Sequence, residues 1–134
     1  MVVTTGERAP DQDVRTLTDA LVPVSEDEGK QLAVTFVDYE ASKDGVAWSL
    51  TRNELHQRVR AVAAWLADRA EPGDRVAILA PQGLEYVVGF FAAVHAGLIA
   101  VPLFTPDLPG HADRLERVLD DCAPTCALTS KFAF

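Results

Sequence analysis

Apolar positions along the chain fall into short runs separated by polar turns, and the spacing inside each run predicts its element. Leu32-Ala-Val-Thr-Phe-Val-Asp-Tyr39 and Val46-Ala-Trp-Ser-Leu-Thr51 are rich in β-branched and aromatic residues and flank a polar loop with Lys43-Asp44-Gly45, which predicts a β-hairpin. Thr51 and Glu54 have the spacing of a capping box, in which each side chain satisfies a free backbone N–H at a helix start. The helix that follows carries Leu55, Val59, Val62, Ala63 and Leu66 on one stripe and is expected to reach about Ala70, before Glu71-Pro-Gly-Asp74 turns the chain.

Beyond that turn the apolar runs become continuous. Arg75-Val-Ala-Ile-Leu-Ala80 and Leu98-Ile-Ala-Val101 lack alternation, as strands covered on both faces do, and Cys126-Ala-Leu-Thr129 is a third short strand. Between them lie Leu84 to Ala96, apolar nearly all round and expected to be a deeply buried helix, and His111 to Cys122, with Leu115, Val118 and Leu119 on one side. Gly97 stands where a left-handed C-terminal cap favours glycine. Upstream, Met1 to Arg15 has no period and is expected to be a leader, Thr16 to Val22 is a short helical segment ended by Pro23, and Ser25 to Gln31 is expected to be a polar connector.

The expected fold class is α/β: an N-terminal β-hairpin followed by a parallel β-α-β-α-β unit with right-handed crossovers. Residues 1–31 form the leader and short helix, and residues 32–134 are part of one domain. The strand at Cys126 is expected to leave an open sheet edge, through which the chain could self-associate.

With 134 residues, 49% of them apolar and 24% charged, the chain has the composition of an ordinary folded domain. Its net charge is −8, so nucleic acid and anionic membranes are unfavourable partners. Most of the net negative charge precedes Val46, where 10 Asp or Glu face 4 Lys or Arg, a balance of −6 that leaves −2 for the rest. Leu84 to Phe104 is long enough to span a bilayer. Gly89, Gly97, Pro102 and the change of period make it a helix and a strand instead, so no membrane span is expected. Two cysteines without a signal-like N-terminus fit a reducing cytoplasm.

Candidate chemistry is sparse. Ala80-Pro-Gln-Gly83, in the position of a mononucleotide-binding turn, has one glycine and a proline that removes a donor, and is a poor phosphate cradle. No Gly-Lys-Ser or Gly-Lys-Thr occurs. Cys122 and Cys126 are expected to be buried structural thiols. His56 is placed on an exposed helix face, His95 ends a helix and His111 opens one. Asp120 and Asp121 adjoin on a helix and cannot face one point. No catalytic, cofactor-binding or metal-binding residue follows from the residues alone.

Three segments nevertheless resemble the opening motifs of the adenylate-forming superfamily of acyl-CoA synthetases, luciferases and peptide-synthetase adenylation domains. They are Leu50-Thr-Arg-Asn-Glu-Leu55, with Arg52 where tyrosine is usual, Pro72-Gly-Asp-Arg-Val-Ala-Ile-Leu79, and Ala93-Val-His-Ala-Gly-Leu-Ile-Ala-Val-Pro102. Ala80 to Val88, and Val101-Pro-Leu-Phe-Thr-Pro106 with His111, Arg114, Leu115 and Asp121, are most similar to the fatty acyl-AMP ligases of actinobacteria. The resemblance implies a full-length enzyme in which a fatty acid attacks Mg-ATP, pyrophosphate leaves, and the acyl-adenylate passes to an acyl carrier protein or a polyketide or nonribosomal peptide synthase. The family's phosphate loop, metal-holding Glu, ribose-binding Asp and C-terminal lysine have no counterpart here. The chain is therefore expected to be a fragment that is inactive alone. An acyl-CoA synthetase fragment and a non-catalytic α/β interaction module are the alternatives.

Overall fold

The structure, a computed structural model, describes residues 16–40, 42–105 and 111–130. The expected leader, Met1 to Arg15, and residues 106–110 of the loop before the last helix lie outside them. The chain divides into two compact units, Met1–Arg58 and Val59–Phe134.

The first unit contains a 3-10 turn (Asp19–Leu21), α1 (Glu26–Lys30), β1 (Leu32–Asp38), β2 (Val46–Thr51) and the start of α2 (Arg52–Ala67). The predicted hairpin is present: β1 and β2 pair antiparallel, with Val34 opposite Leu50 and Phe36 opposite Trp48, and with a register shift between Leu32 and Val34. The two-residue period puts Val34 and Leu50 on a buried face, while Thr35 and Ser49 share a hydroxyl–hydroxyl hydrogen bond of 2.8 Å on the other. The capping box forms as well. The Thr51 N–H donates to Glu54 Oε2 at 2.8 Å, and the Glu54 N–H donates to Thr51 Oγ1 at 3.3 Å.

One expectation fails here, because residues 25–31 are not a plain connector. Glu26–Lys30 is a single helical turn whose start is capped by Ser25, with Oγ accepting from the Glu28 N–H at 3.2 Å. The signal was Ser25-x-x-Glu28, itself a capping pattern. With no apolar residue in Glu26-Asp-Glu-Gly-Lys30, periodicity had nothing to register.

In the second unit, α2 ends at Ala67, slightly short of the expected Ala70, although the Ala70 N–H still reaches the Leu66 carbonyl at 3.0 Å. There follow β3 (Arg75–Leu79), α3 (Leu84–His95), β4 (Ile99–Pro102), α4 (His111–Cys122) and β5 (Cys126–Thr129). All three strands are parallel, in the order β4-β3-β5. The chain steps from β3 to β4 on one side, then returns past β3 to place β5 on the other. For right-handed crossovers these opposite steps put α3 and α4 on opposite faces. Accordingly, one core cluster joins Ala63, Leu66 and Ala70 to Val76, Ala92, Ala93 and Leu98, and the buried Leu115 of α4 lies outside it.

α3 ends in the hydrogen-bond pattern expected of a left-handed cap. The Leu98 N–H reaches the Ala93 carbonyl at 2.9 Å, the Gly97 N–H reaches the Val94 carbonyl at 3.1 Å, and Gly97 has φ +76°. Its carbonyl then accepts from the Gly73 N–H at 2.9 Å, and the Ile99 N–H reaches the Asp74 carbonyl at 2.8 Å, so the turns before β3 and β4 brace each other.

Burial corrects two further expectations. β3 is enclosed on both faces, with Val76, Ala77 and Ile78 fully buried, but β4 and β5 are both edges, and Ile99 is 49% exposed. An apolar run without alternation therefore identified the central strand correctly and overstated the cover on β4. Likewise α3 buries only Val88, Gly89, Ala92 and Ala93, while Phe90, Phe91 and Val94 are half-covered. A three-stranded sheet covers one stripe of a helix and leaves its flanks to another layer.

Candidate functional site

In open parallel sheets ligands bind beyond the carboxyl ends of the strands. In the second unit that rim is formed by Ala80-Pro-Gln-Gly83 after β3, Leu103-Phe104-Thr105 after β4 and Ser130 after β5. The Leu103 N–H donates to the Ile78 carbonyl at 3.1 Å, which extends the pairing of β4 with β3 by one residue and carries Phe104 to the rim.

Phe104 is the centre of the side-chain cluster here. The His111 ring meets it edge-on, with centroids 5.1 Å apart and planes at 69°, and the Arg114 guanidinium lies 5.2 Å from its ring centre. α4 brings these two together because positions 111 and 114 lie one turn apart on one side of a helix. His111 Nδ1 and Ser130 Oγ are shielded from solvent without hydrogen-bond partners. Taken alone, His111 reads as a helix-terminal residue, and although it shares a family-like stretch with Phe104 and Arg114, the contacts of both with the Phe104 ring require the fold; Ser130 carries no signal in the sequence.

The rim does not form a phosphate cradle. Gly83 caps α3 with extended backbone and no side-chain hydrogen bond, Pro81 lacks an N–H, and Glu85 places an acid in the first turn, where an anion would be repelled. Among the described residues, no group of three His, Cys, Asp or Glu side chains could hold a metal ion. These residues thus do not fit Mg-ATP on their own, and no chemical step is assigned through it.

The remaining titratable candidates are scattered. Cys122 and Cys126 are free thiols, half-buried rather than buried. Burial, and secondarily Asp74, push the Cys126 thiol up against the opposing effect of Arg69, which keeps it protonated and unreactive. His95 is exposed, as are Asp120 and Asp121, whereas His56 is half-buried and engaged rather than on an exposed face. No helix among the described residues is long and apolar enough to cross a membrane.

An antiparallel hairpin, a capped helix and a β4-β3-β5 parallel sheet make up an architecture that matches the N-terminal domain of adenylate-forming enzymes. The family model described as AMP-binding enzyme matches residues 29–133, and the chain belongs to that family. The long-chain-fatty-acid–AMP ligase FadD32 of Mycolicibacterium smegmatis is 53% identical over 102 residues, 76% of this chain and 16% of that protein. The long-chain-fatty-acid–AMP ligase FadD26 of Mycobacterium marinum is 42% identical over 116 residues, 87% of this chain and 20% of its own length. Among solved structures, the fatty acid AMP ligase from Legionella pneumophila superposes with a TM-score of 0.77 and 28% identity, over 86% of this chain and 19% of that one. The chain thus spans about a fifth or less of the length of these relatives.

Proposed function

We propose that this chain is the opening scaffold of a fatty acyl-AMP ligase that activates a fatty acid with ATP to the acyl-adenylate. The likeness to long-chain-fatty-acid–AMP ligases across most of the chain carries this reading. In it, residues 1–31 are a leader with a short helix, and residues 32–134 are part of the adenylation domain. Three matched segments serve as structure: the Thr51–Glu54 cap, the enclosed β3, and the turn from α3 into β4. ATP, Mg and the acyl group are held by parts of the longer enzyme that have no counterpart in these residues, and an acyl carrier protein or synthase receives the product in the cytoplasm. We assign no catalytic residue to this chain, and we expect it to be inactive alone.

A segment exchange tests this proposal. Residues 29–130 replace the matching segment of M. smegmatis FadD32, and fatty-acid-dependent exchange of pyrophosphate into ATP is measured. The chimera retains exchange if the scaffold is equivalent, and the isolated chain shows none. A folded, ATP-binding chimera without exchange overturns the reading. Offering CoA or a carrier protein to a full-length enzyme that contains this chain separates acyl-AMP ligase from acyl-CoA synthetase.

A further inference from the structure

Arg52 opens α2, yet its side chain acts on the segment that precedes the hairpin. Its Nη2 donates to Glu28 Oε1 at 2.8 Å and to the Ala20 carbonyl at 2.8 Å, and its backbone N–H donates to the Gln31 carbonyl at 2.9 Å. One residue therefore grips the 3-10 turn, α1 and the entry to β1. Glu28 is held from its other side as well, since Oε2 accepts the Val24 N–H at 2.9 Å. A Cβ added at Gly29 would collide with the Asn53 amide, so α1 lies flush against the first turn of α2.

What the segment lacks is equally informative. Within residues 16–31 only Gly29 is buried, and Leu17, Val22 and Val24 are all exposed. A five-residue helix is too short to sustain itself. Its other ion pair, Lys30 to Glu26, is exposed and lies wholly within α1, so it ties the segment to nothing. The Arg52–Glu28 pair is better placed, with side chains 29% and 23% exposed, where a charge-assisted hydrogen bond keeps more of its strength. The guanidinium Nε is shielded without a partner, so this grip passes through a single nitrogen.

We propose that residues 18–31 form a strap latched by Arg52, which opens as one unit while the hairpin and α2 stay folded. Opening uncovers Gly29 and releases the Asn53 amide and the Arg52 guanidinium from the segment they abut. The strap holds by polar contacts that one side chain organises, whereas the hairpin holds by its own ladder.

Residue-resolved amide hydrogen exchange on the 134-residue chain tests the latch. The N–H groups of Leu21, Val22, Glu28, Gly29 and Gln31 report on the strap, and those of the β1–β2 ladder and of β3 serve as reference. In R52A, strap exchange rises roughly tenfold, the scale of one charge-assisted hydrogen bond, while the reference amides keep their protection. R52K restores part of it, because a shorter, more strongly hydrated ammonium can pair with Glu28 but does not reproduce the simultaneous contact with the Ala20 carbonyl. E28Q leaves Arg52 and its carbonyl contact in place and gives a smaller selective rise, which decides the matter if R52A does not fold. Strap amides as protected in R52A or E28Q as in the parent chain overturn the proposal. So does a rise of equal size across the hairpin and β3, which would make Arg52 a general stabiliser instead of a latch.

Discussion

The second unit is organised around apolar burial and the first around polar contacts. In residues 59–130, three consecutive side chains of β3 are fully buried between β4 and β5, and Val76 packs in one cluster with Ala63, Leu66 and Ala70 and with Ala92 and Ala93 of α3. Among the described residues of 16–58 the buried apolar side chains are Val34, Leu50 and Leu55, while Leu17, Val22, Val24, Leu32, Tyr39 and Trp48 are exposed. The first unit relies on a hairpin ladder, two helix caps and the Arg52 contacts, each a hydrogen bond exchanged against water at modest net gain. Core substitutions should therefore be costly in the second unit, and the first should yield to the loss of individual polar groups.

Ile78→Ala is the severest test of that contrast. It removes a fully buried side chain from the middle of β3 and should destabilise the chain by about 3 kcal/mol in urea unfolding at neutral pH. A loss under 1 kcal/mol would mean that the sheet is not the main store of stability.

The ends of α3 and α4 give a smaller, paired effect. α3 and α4 are both followed by a residue in the left-handed region, Gly97 with φ +76° and Ala123 with φ +41°. Gly97→Ala should cost about 1 kcal/mol from backbone conformation alone, since an added Cβ would meet Pro72 only at ordinary contact distance. Ala123→Gly should stabilise the chain by about 0.5–1 kcal/mol, because it relieves the same conformation where alanine now bears it. Changes of the same sign in both variants would contradict this account.

The smallest effect lies at the start of α2. The Thr51 N–H, then its hydroxyl, hold the Glu54 carboxyl below its ordinary value against a smaller opposing effect of desolvation, and Arg58 adds a still smaller pull downward. The folded-state pKa thus lies below the unfolded one, so the cap is complete above the ordinary range and is lost as pH falls through the depressed value. The Thr51 amide shift, followed by NMR, should titrate with a midpoint below that of an unstructured glutamate, and Glu54→Gln should abolish the titration. A midpoint at or above the ordinary value would remove the carboxylate from the cap.

Whatever depends on neighbours within one turn or one hairpin was legible in the amino acids. The hairpin, the Thr51–Glu54 cap, the stripe of α2, the Gly97 cap and the three parallel strands all follow from residue spacing, because a capping bond or a helical stripe is decided by residues three or four apart. α1 was missed although Ser25 and Glu28 signalled it, since a turn without apolar residues has no period. The candidate site was far less legible. His111 and Arg114 could be seen on one helix, but their meeting with Phe104 comes from the packing of α4 against the segment after β4, and the orphan hydroxyl of Ser130 from the end of β5 at the opposite edge of the sheet.

Tertiary structure alone decided which strand became the centre. Val76 to Leu79 and Ile99 to Val101 are equally apolar, yet the first is enclosed and the second is an edge, because burial depends on what stands on either side and not on composition. The same holds for Arg52, whose partner carbonyl at Ala20 lies 32 residues away in sequence. Local chemistry specifies the elements, whereas centre, edge and long-range polar partners emerge only when the chain brings distant segments into contact.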